Sequence, residues 1–410
     1  MTELSRAARK ITFVLFLAQS LASAGFIASA TVGSILGAKL GGNAWAGVPS
    51  AVFLLGSAVA ASAWGVLMEI LGRRNSIALG LLLGATGAVL VVMSANQSSL
   101  LLMYPGMVLM GVGNAAVMLG RFSAAEVNPP EKRGAAIANV VLGGTAGAIF
   151  GPLLVGPMGT FSLHLGMDEL AGAYIASMVL FGIASVIIFL GLRPDPRDVG
   201  RQVAALYPDS APSGMARPIR IIFREPAAMI AVTAMVLGQV VMVAIMVITS
   251  LHMKGHNHQL SDISAVISAH TLGMFAFSVI SGRLADKWGR GPVILMGSAT
   301  LLLACITAPL SPDVLPLAVS LFLLGLGWNF CFVGGSTLLA DQLSPAERAR
   351  TQGVNDLLVG LASATGSLGS GLVFAATSYT VITIFAGALS LVPLVMVFTW
   401  MLRKQVPAGA

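Results

Sequence analysis

The strongest constraint on this chain is a succession of apolar segments, each about as long as a lipid bilayer is thick. Its 410 residues are 56% hydrophobic and only 10% charged, and the mean hydropathy is +0.90. Because about 20 apolar residues in a helix cross the hydrocarbon core, each segment predicts a membrane-spanning helix. The segments cover residues 12–37, 46–68, 75–95, 99–121, 136–157, 170–192, 227–251, 262–284, 292–310, 315–339, 352–376 and 379–402. The sequence therefore predicts an all-α membrane protein with twelve transmembrane helices.

The loops between these segments differ sharply in charge. When alternate loops are assigned to opposite sides of the membrane, 21 of the 23 Lys and Arg residues fall on one side, against Lys39 and Lys254 on the other. By the positive-inside rule the basic side is cytoplasmic, with both termini inside. We therefore expect a multi-pass protein of a bacterial inner membrane, and the basic surplus indicates topology rather than nucleic-acid binding.

The first segment also resembles a secretory signal, because basic residues precede it and "LASA" at 21–24 resembles a cleavage site. Removing this segment would leave eleven spans and would reverse the distribution of Lys and Arg. We therefore interpret it as the first membrane helix.

A motif of charged residues and glycines occurs twice, about half a chain apart. "GVLMEILGRRN" at 65–75 aligns without a gap on "GRLADKWGRGP" at 282–292. "MGVGNAAV" at 110–117 in the fourth span is echoed by "LGLGWNFC" at 324–331 in the tenth. The sequence is therefore a duplication of a six-span unit.

The halves are joined by a long polar stretch. It covers residues 193–226, is rich in Pro, Arg and Asp, and follows the sixth span. We predict two pseudo-symmetric six-helix halves, 1–192 and 227–410, with a cytoplasmic linker over 193–226. Downstream of the fourth and tenth spans, Asn128 and Ser344 are predicted to cap the next helix, each with a Glu three residues later.

Twelve spans in two homologous halves, with G-x-x-x-[DE]-x-x-G-R in both the 2–3 and 8–9 loops, resemble the major facilitator superfamily. The resemblance covers essentially the whole chain and implies a secondary transporter that works by alternating access between its halves. It also implies that a loop carboxylate holds the start of the eleventh helix, closing the cytoplasmic side. The matching gate residues are Gly65, Glu69, Gly72, Arg73 and Arg121, with Gly282, Asp286, Gly289 and Arg290 in the second half. The alternative is that these charges only set topology and solubilise the loops. We expect both Gly65 and Gly72 to allow close helix approach and unusual backbone angles.

The fifth span carries small residues on one helical face. They are Gly143, Gly147 and Gly151, followed by Pro152. Small residues at this spacing let helices approach closely, and Pro can bend the helix. The segment resembles a motif of proton-linked antiporters in the superfamily, although Val155 replaces one of its glycines. The resemblance favours export; a packing face without that meaning is the alternative. The Arg that exporters commonly carry in the fourth span is absent, since that position is Met107.

Polar residues near the middle of spans 1, 4, 7 and 10 are candidates for a substrate cavity, because the resemblance implies that these helices line it. They are Gln19, Asn114, Gln239, Trp328 and Asn329. Asn114 and Asn329 could instead cap a kink or bridge helices. An apolar cavity with amides and one Trp, and without buried Arg or Lys, favours a small, moderately hydrophobic or aromatic solute.

Ionisable groups at membrane depth are functional hypotheses by default. His270 lies about 12 Å along the helix from Asp262, and Asp356 lies about 9 Å from Arg350. Both are candidates for proton coupling, His270 first because imidazole titrates near neutral pH. The alternatives are an imidazole hydrogen-bonded between helices and a carboxylate at the cytoplasmic rim. We expect proton-coupled export, with proton-coupled uptake or facilitated diffusion of a small metabolite or vitamin as alternatives.

Other classes of function find little support. The sequence lacks the short motifs of metalloproteases and serine hydrolases, so we expect no enzyme. A channel or receptor would not explain the duplicated loop motif. Cys305 and Cys331 lie in apolar runs, and His252, His256 and His258 are interpreted as solvated loop residues. We therefore expect a monomer in the bilayer that binds a small molecule and protons, without a cofactor or metal.

Overall fold

The computed structural model describes residues 3–207 and 217–405, and in these ranges it contains helices and no strand. Sixteen α-helices are numbered here in chain order. They are α1 (Glu3–Gly41), α2 (Val48–Leu71), α3 (Arg73–Gln97), α4 (Leu100–Glu126), α5 (Arg133–Phe150), α6 (Val155–His164), α7 (Ala171–Gly191), α8 (Pro196–Leu206), α9 (Ile219–Ile222), α10 (Pro226–Gly255), α11 (Leu260–Phe275), α12 (Ser278–Trp288), α13 (Arg290–Thr307), α14 (Val314–Asp341), α15 (Pro345–Ala376) and α16 (Tyr379–Gln405).

The helices confirm the predicted fold class. Within the described ranges, twelve helical segments are long and apolar enough to cross a membrane, and each overlaps one predicted span. Two spans are interrupted. The fifth consists of α5 and α6, because Pro152 lacks the amide hydrogen that a continuous helix requires. The eighth consists of α11 and α12, which meet at residues 276 and 277.

Part of the linker is helical. It contains α8, which begins with Asp195 as N-cap and Pro196 at the first position, and the single turn α9. Asp195 accepts a hydrogen bond from the backbone nitrogen of Arg197, which supplies a partner for one free N–H of the first turn. The polar stretch is therefore partly helical; its residues 208–216 lie outside the described ranges.

The chain forms two compact units. The first contains the described parts of 3–41, 48–207 and 259–264, and the second contains 42–47, 217–258 and 265–405. Residues 42–47 belong to the second unit and residues 259–264 to the first, so at these two short segments the units differ from the predicted boundaries. In the second unit, the Ser367 hydroxyl donates to the Gly47 carbonyl (2.8 Å), which ties the turn 42–47 to α15.

In the first unit, α5 packs on α1 through the three glycines that the sequence singled out. A β-carbon at Gly147 would lie 2.0 Å from the Ser20 carbonyl oxygen, and β-carbons at Gly143 and Gly151 would lie 2.4 and 2.5 Å from the carbonyl oxygens of Phe16 and Ala24. Each neighbour is backbone, so it cannot move aside as a flexible side chain would. The glycines let the two helix backbones touch.

The duplicated motif of the fourth and tenth spans performs the same packing role in each unit. A β-carbon at Gly113 of α4 would meet the Gly80 carbonyl of α3 at 2.7 Å. The corresponding Gly327 of α14 would meet the Gly297 carbonyl of α13 at 3.0 Å. The sequence repeat is therefore also a repeat of helix contacts.

The glycines of the charged loops have two different roles, which corrects the expectation for Gly65. Gly72 and Gly289 have φ of +85° and +94°, in the region that favours glycine. Gly65 and Gly282 have open space around the position of a β-carbon. Neither of these two is required by close packing or by a positive φ within its unit.

The helix-start prediction is confirmed for one half and wrong for the other. Ser344 and Glu347 form a reciprocal capping box at the start of α15. Asn128 instead donates from Nδ2 back to the Ala124 carbonyl (2.8 Å), and α5 begins only at Arg133. Of these two repeated helix-start sequences, only the one at Ser344 therefore caps a helix.

We predict that Gly147→Ala destabilises the protein whereas Gly182→Ala does not. Overpacking a tight contact costs about 1–3 kcal/mol, and the Gly147 methyl would press on backbone. Gly182 lies inside α7 with nothing near the position of its β-carbon, and alanine favours helix there. Thermal unfolding of the detergent-solubilised variants measures both effects, and equal melting temperatures would contradict the packing role.

Candidate substrate site and charged helix ends

The charged loop of the first unit is organised around Arg73. Its Nη2 donates to Glu69 Oε1 (2.6 Å), and its Nε and Nη2 donate to the two carboxylate oxygens of Glu126 (3.1 and 2.9 Å). The hydrogen bond and charge of Arg73 lower the pKa of Glu69 below its ordinary value. Arg73 is buried, while the Glu69 side chain is 60% exposed. The first copy of the motif is therefore a triad of two carboxylates on one guanidinium.

The second copy repeats this geometry. Arg290 lies 3.1 Å from Asp286 Oδ1 and donates from Nε to Asp341 Oδ2 (2.9 Å). It also donates from Nη1 to the Ala285 carbonyl (2.7 Å). Sequence reasoning missed Glu126 and Asp341. The available signal was a carboxylate at the end of both the fourth and the tenth spans.

Two linker residues are attached to the first unit at this loop. Asp195 accepts hydrogen bonds from the backbone nitrogens of Arg73 and Arg74, both 3.1 Å, at the start of α3. Arg197 donates from Nη1 to the carbonyls of Glu69 and Ile70 at the end of α2. A charge of each sign thus meets the helix end that it stabilises. A β-carbon at Gly72 would lie 2.6 Å from Asp195, which is a second reason for glycine there.

Another linker residue is attached to the second unit. Arg217 donates from Nε and from its backbone nitrogen to Glu347 Oε1 (2.8 and 2.9 Å), and from Nη2 to the Gln342 carbonyl (2.7 Å). Glu347 is buried and also accepts from the Ser344 backbone nitrogen (2.9 Å). These donors, the Arg217 side chain first, lower the pKa of Glu347 strongly, and the pKa of Arg217 is raised in turn.

In the second unit, two of the candidate cavity residues lie together. The Trp328 indole donates to Gln239 Oε1 (2.6 Å), and Gln239 Nε2 donates to the Ser363 hydroxyl (2.6 Å). Trp328 stacks on Phe332 with ring centroids 5.0 Å apart, and its edge meets Phe275 at 6.3 Å. We call Gln239, Phe275, Trp328 and Phe332 the aromatic–amide surface. It joins α10, α11 and α14.

Asn329 lies outside this surface and is hydrogen-bonded to residues around the α11–α12 break. It is buried, and its Nδ2 donates to the Met274 carbonyl and the Ser278 hydroxyl (2.6 and 2.8 Å), while its Oδ1 accepts from Ser281. These bonds hold the break between α11 and α12. The alternative of capping a kink therefore describes this residue.

In the first unit, the two candidate amides lie on separate helices. Asn114 Nδ2 donates to the Ser57 hydroxyl (3.1 Å), and Gln19 Nε2 donates to the Ser23 hydroxyl (3.2 Å). Sequence reasoning did not single out the cavity of about 470 Å³ in this unit, because its residues lie towards helix ends. Its polar and aromatic lining residues are Arg9, Thr12, Phe13, Phe16, Asn128, Lys132 and Asn139.

His270 is completely buried between α11 and α14. Its Nδ1 lies 2.9 Å from the Leu321 carbonyl. A carbonyl can only accept, so Nδ1 carries the proton, and Nε2 is left buried without a hydrogen-bond partner. His270 corresponds to Phe53 in the sequence repeat. A β-carbon at Gly325 would touch the His270 carbonyl, and a β-carbon at the equivalent Gly111 would touch the Phe53 carbonyl.

The remaining candidates have the following surroundings. Asp356 is on an exposed face of α15, and the Arg121 guanidinium lies over the Phe122 ring, 5.0 Å from its centroid. His252 stacks on Tyr379 at 4.3 Å, so it is packed rather than solvated as the sequence suggested. Cys305 and Cys331 are buried and free. Among the described residues, no group of side chains has the geometry to hold a metal ion.

Comparison with known proteins decides the family. The profile described as Major Facilitator Superfamily matches residues 12–261 and 239–410. The chain belongs to the Major Facilitator Superfamily. It is 35% identical over 395 residues to the Bacillus subtilis protein named "Uncharacterized MFS-type transporter YdeG", with 96% of this chain and 92% of that protein covered.

Other members of the superfamily extend this result. The chain is 29% identical to "Riboflavin transporter RfnT" of Brucella anthropi, over 86% of both chains. Solved structures share the fold: a bacterial homologue of the human lysosomal transporter Spinster, and the nucleoside transporter NupG, each with a TM-score of 0.71 and 16% identity, with coverage of 97% or more for each chain. As a superfamily member the protein is a transporter of a small molecule and not an enzyme, which confirms both predictions.

We predict that Glu347→Gln lowers the melting temperature of this superfamily member by a few degrees, whereas Glu225→Gln changes it little. The first variant replaces the close, buried carboxylate partner of Arg217 with an uncharged amide, while Glu225 is a more distant, exposed partner 3.6 Å from the same Arg217. The stabilisation is present above the ordinary carboxyl pKa of 4.5 and is lost only as pH falls through the lowered pKa. The difference between wild type and Glu347→Gln should therefore persist from neutral to mildly acid pH. Its disappearance near pH 5 would contradict the assignment.

Proposed function

We propose that this transporter carries a planar, moderately hydrophobic aromatic solute of vitamin size, and that the aromatic–amide surface binds it. The observation that carries the proposal is the arrangement of Trp328 on Phe332 beside Gln239. Aromatic rings favour offset or edge contacts with other rings, and each such contact contributes about 0.5–1.5 kcal/mol beyond the buried area. All three side chains are partly exposed within their unit, so a solute can reach them.

The amide of Gln239 adds polar selectivity. It accepts one hydrogen bond from Trp328 and donates one to Ser363, which leaves one N–H and one oxygen lone pair for a ligand. The indole and the hydroxyl also keep the amide in one orientation. A solute with a ring edge that both accepts and donates hydrogen bonds matches this surface better than a hydrocarbon does.

The riboflavin transporter among the relatives supports the same class of solute. Riboflavin has a planar ring system with acceptors and a donor on one edge, and the relative is similar over 86% of both chains. We therefore propose a flavin or a comparable heteroaromatic vitamin as substrate.

Trp328→Ala should weaken riboflavin binding by roughly tenfold or more, because it removes one stacking face and the partner of Gln239. Trp288→Ala is the matched control, since Trp288 is half exposed at the end of α12, away from this surface. Quenching of tryptophan fluorescence by riboflavin measures binding, and counterflow of riboflavin in proteoliposomes measures transport. Equal affinities in the two variants would contradict the site, and failure of wild type to bind any heteroaromatic vitamin would contradict the substrate class.

We also propose that transport is coupled to protons at His270 and runs outward, from a bacterial cytoplasm through the inner membrane. The support is the buried Nε2 without a partner: protonation there requires water or an acceptor to reach it, so it depends on the conformation. In inverted vesicles, an imposed pH gradient should drive accumulation by wild type, and His270→Gln should retain exchange but lose this accumulation. Gradient-driven accumulation by His270→Gln would instead favour Asp356. Its absence in wild type would favour uptake or facilitated diffusion.

Glu69 is proposed as the gate carboxylate on the predicted cytoplasmic side. Its exposed side chain holds only one of the two positions on Arg73, since Glu126 holds the other. Glu69 can therefore exchange partners without leaving Arg73 uncompensated. Glu69→Gln should increase labelling of cysteines introduced at the predicted cytoplasmic mouth, with Asp198→Gln as a control that removes an exposed linker carboxylate. Unchanged labelling in Glu69→Gln would reduce this residue to a loop solubiliser.

A further inference from the structure

A second cavity, of about 510 Å³, lies entirely within the first unit at the basic helix ends. It is bounded by the end of α2, the start of α3, the end of α4, the start of α5 and the linker helix α8. Six charged residues line it: Glu69, Arg73, Glu126, Arg133, Arg197 and Arg201. The cavity is separate from the aromatic–amide surface, which belongs to the second unit.

The charges around this cavity do not balance. Four guanidinium groups face two carboxylates, and both carboxylates already bind Arg73. The lining therefore carries a surplus of two positive charges. Arg201 lies on the exposed side of α8, near enough to Glu69 to lower its pKa, but it does not displace Arg73 from that carboxylate.

Several donors of these guanidinium groups lack a hydrogen-bond partner. Arg73 Nη1, Arg133 Nε and Arg197 Nε are all buried from solvent without one. Arg73 itself is nine-tenths buried. Arg197 uses Nη1 for the carbonyls at the end of α2, and its Nε lies 3.5 Å from Asp198, beyond good hydrogen-bond geometry. A buried donor without a partner is costly, so three around one cavity indicate a missing acceptor.

The residues point to a tetrahedral oxyanion. Guanidinium groups bind phosphate through several N–H···O bonds at once, and they remain charged at any physiological pH. A phosphate dianion would compensate the surplus of two charges, and a monoanion would compensate half of it. A neutral solute would leave the surplus in place.

We propose that this cavity binds a phosphate group, with Arg133, Arg197 and Arg201 as its principal ligands. The phosphate comes either from the headgroup of an anionic lipid or from a soluble phosphate. Because α8 belongs to the linker and its N-cap Asp195 already accepts from the Arg73 backbone nitrogen, the bound phosphate would further attach the linker helix to the charged loop. This inference does not depend on the identity of the transported solute.

The test compares two double variants that remove the same charge. Arg133→Gln with Arg201→Gln removes two cavity ligands, while Arg220→Gln with Arg224→Gln removes two exposed linker arginines that do not line the cavity. Neither pair belongs to the proposed substrate site or gate. Melting temperatures are measured in phosphatidylcholine nanodiscs with increasing phosphatidylglycerol, and in detergent with inorganic phosphate or chloride at equal ionic strength.

We expect wild type and the linker double variant to be stabilised by several degrees in at least one of these series, and the cavity double variant to lose most of that gain. A response to phosphatidylglycerol alone identifies a lipid headgroup, and a response to inorganic phosphate identifies a soluble ligand. Equal responses of the two double variants would show diffuse attraction to the basic surface and overturn the proposal. No response of wild type in either series would overturn it as well. The melting temperatures in phosphatidylcholine alone show whether each variant is folded.

Discussion

Direct contact between helix backbones is the interaction on which the rest of this structure depends. In a bilayer, apolar side chains gain little by leaving lipid for protein, so helices associate where their shapes allow close packing. In the first unit α5 meets α1 at Gly143, Gly147 and Gly151, and each glycine faces a carbonyl oxygen. Once these contacts are made, the polar and charged side chains of the same helices have little freedom in where they lie.

The ends of the helices follow a second rule, in which free backbone groups and charges are matched. Asp195 accepts from the backbone nitrogens that open α3, and Arg197 donates to the carbonyls that close α2. In the second unit the Glu347 carboxylate accepts from the Arg217 guanidinium and from the Ser344 backbone nitrogen at the start of α15. The first end of the linker thus binds its unit through a carboxylate and a guanidinium, Asp195 and Arg197, and the second end binds its unit through the guanidinium of Arg217. The charged loops are therefore parts of a built network in both units, and Arg73 and Arg290 are its centres.

The duplication preserves packing and lets chemistry diverge. Gly111 and Gly325 keep the same contact, yet the residue that they touch is Phe53 in one unit and His270 in the other. Asn114 aligns with Trp328 after the repeated glycines, and only the second of these two joins the aromatic–amide surface. The repeated glycines of α4 and α14 are thus structural, while positions where the repeat changes residue type carry the proposals for substrate and coupling.

Much of the architecture could be predicted from the sequence, because it depends on local chemistry. Span length, the asymmetry of Lys and Arg and the repeated loop motif are properties of short segments, and they determined the all-α class, the twelve spans and the superfamily. The sequence also indicated the glycine face of α5, and it named Gln239 and Trp328 as separate cavity candidates. The tertiary structure alone decided which side chains meet across long chain distances. It showed Glu126 and Asp341 completing the triads, Asn329 holding a helix break, Arg217 binding Glu347, and the arginines of α5 and α8 around one cavity. Such partners are far apart in sequence, and helical periodicity specifies the face of a residue but not the helix that packs against it.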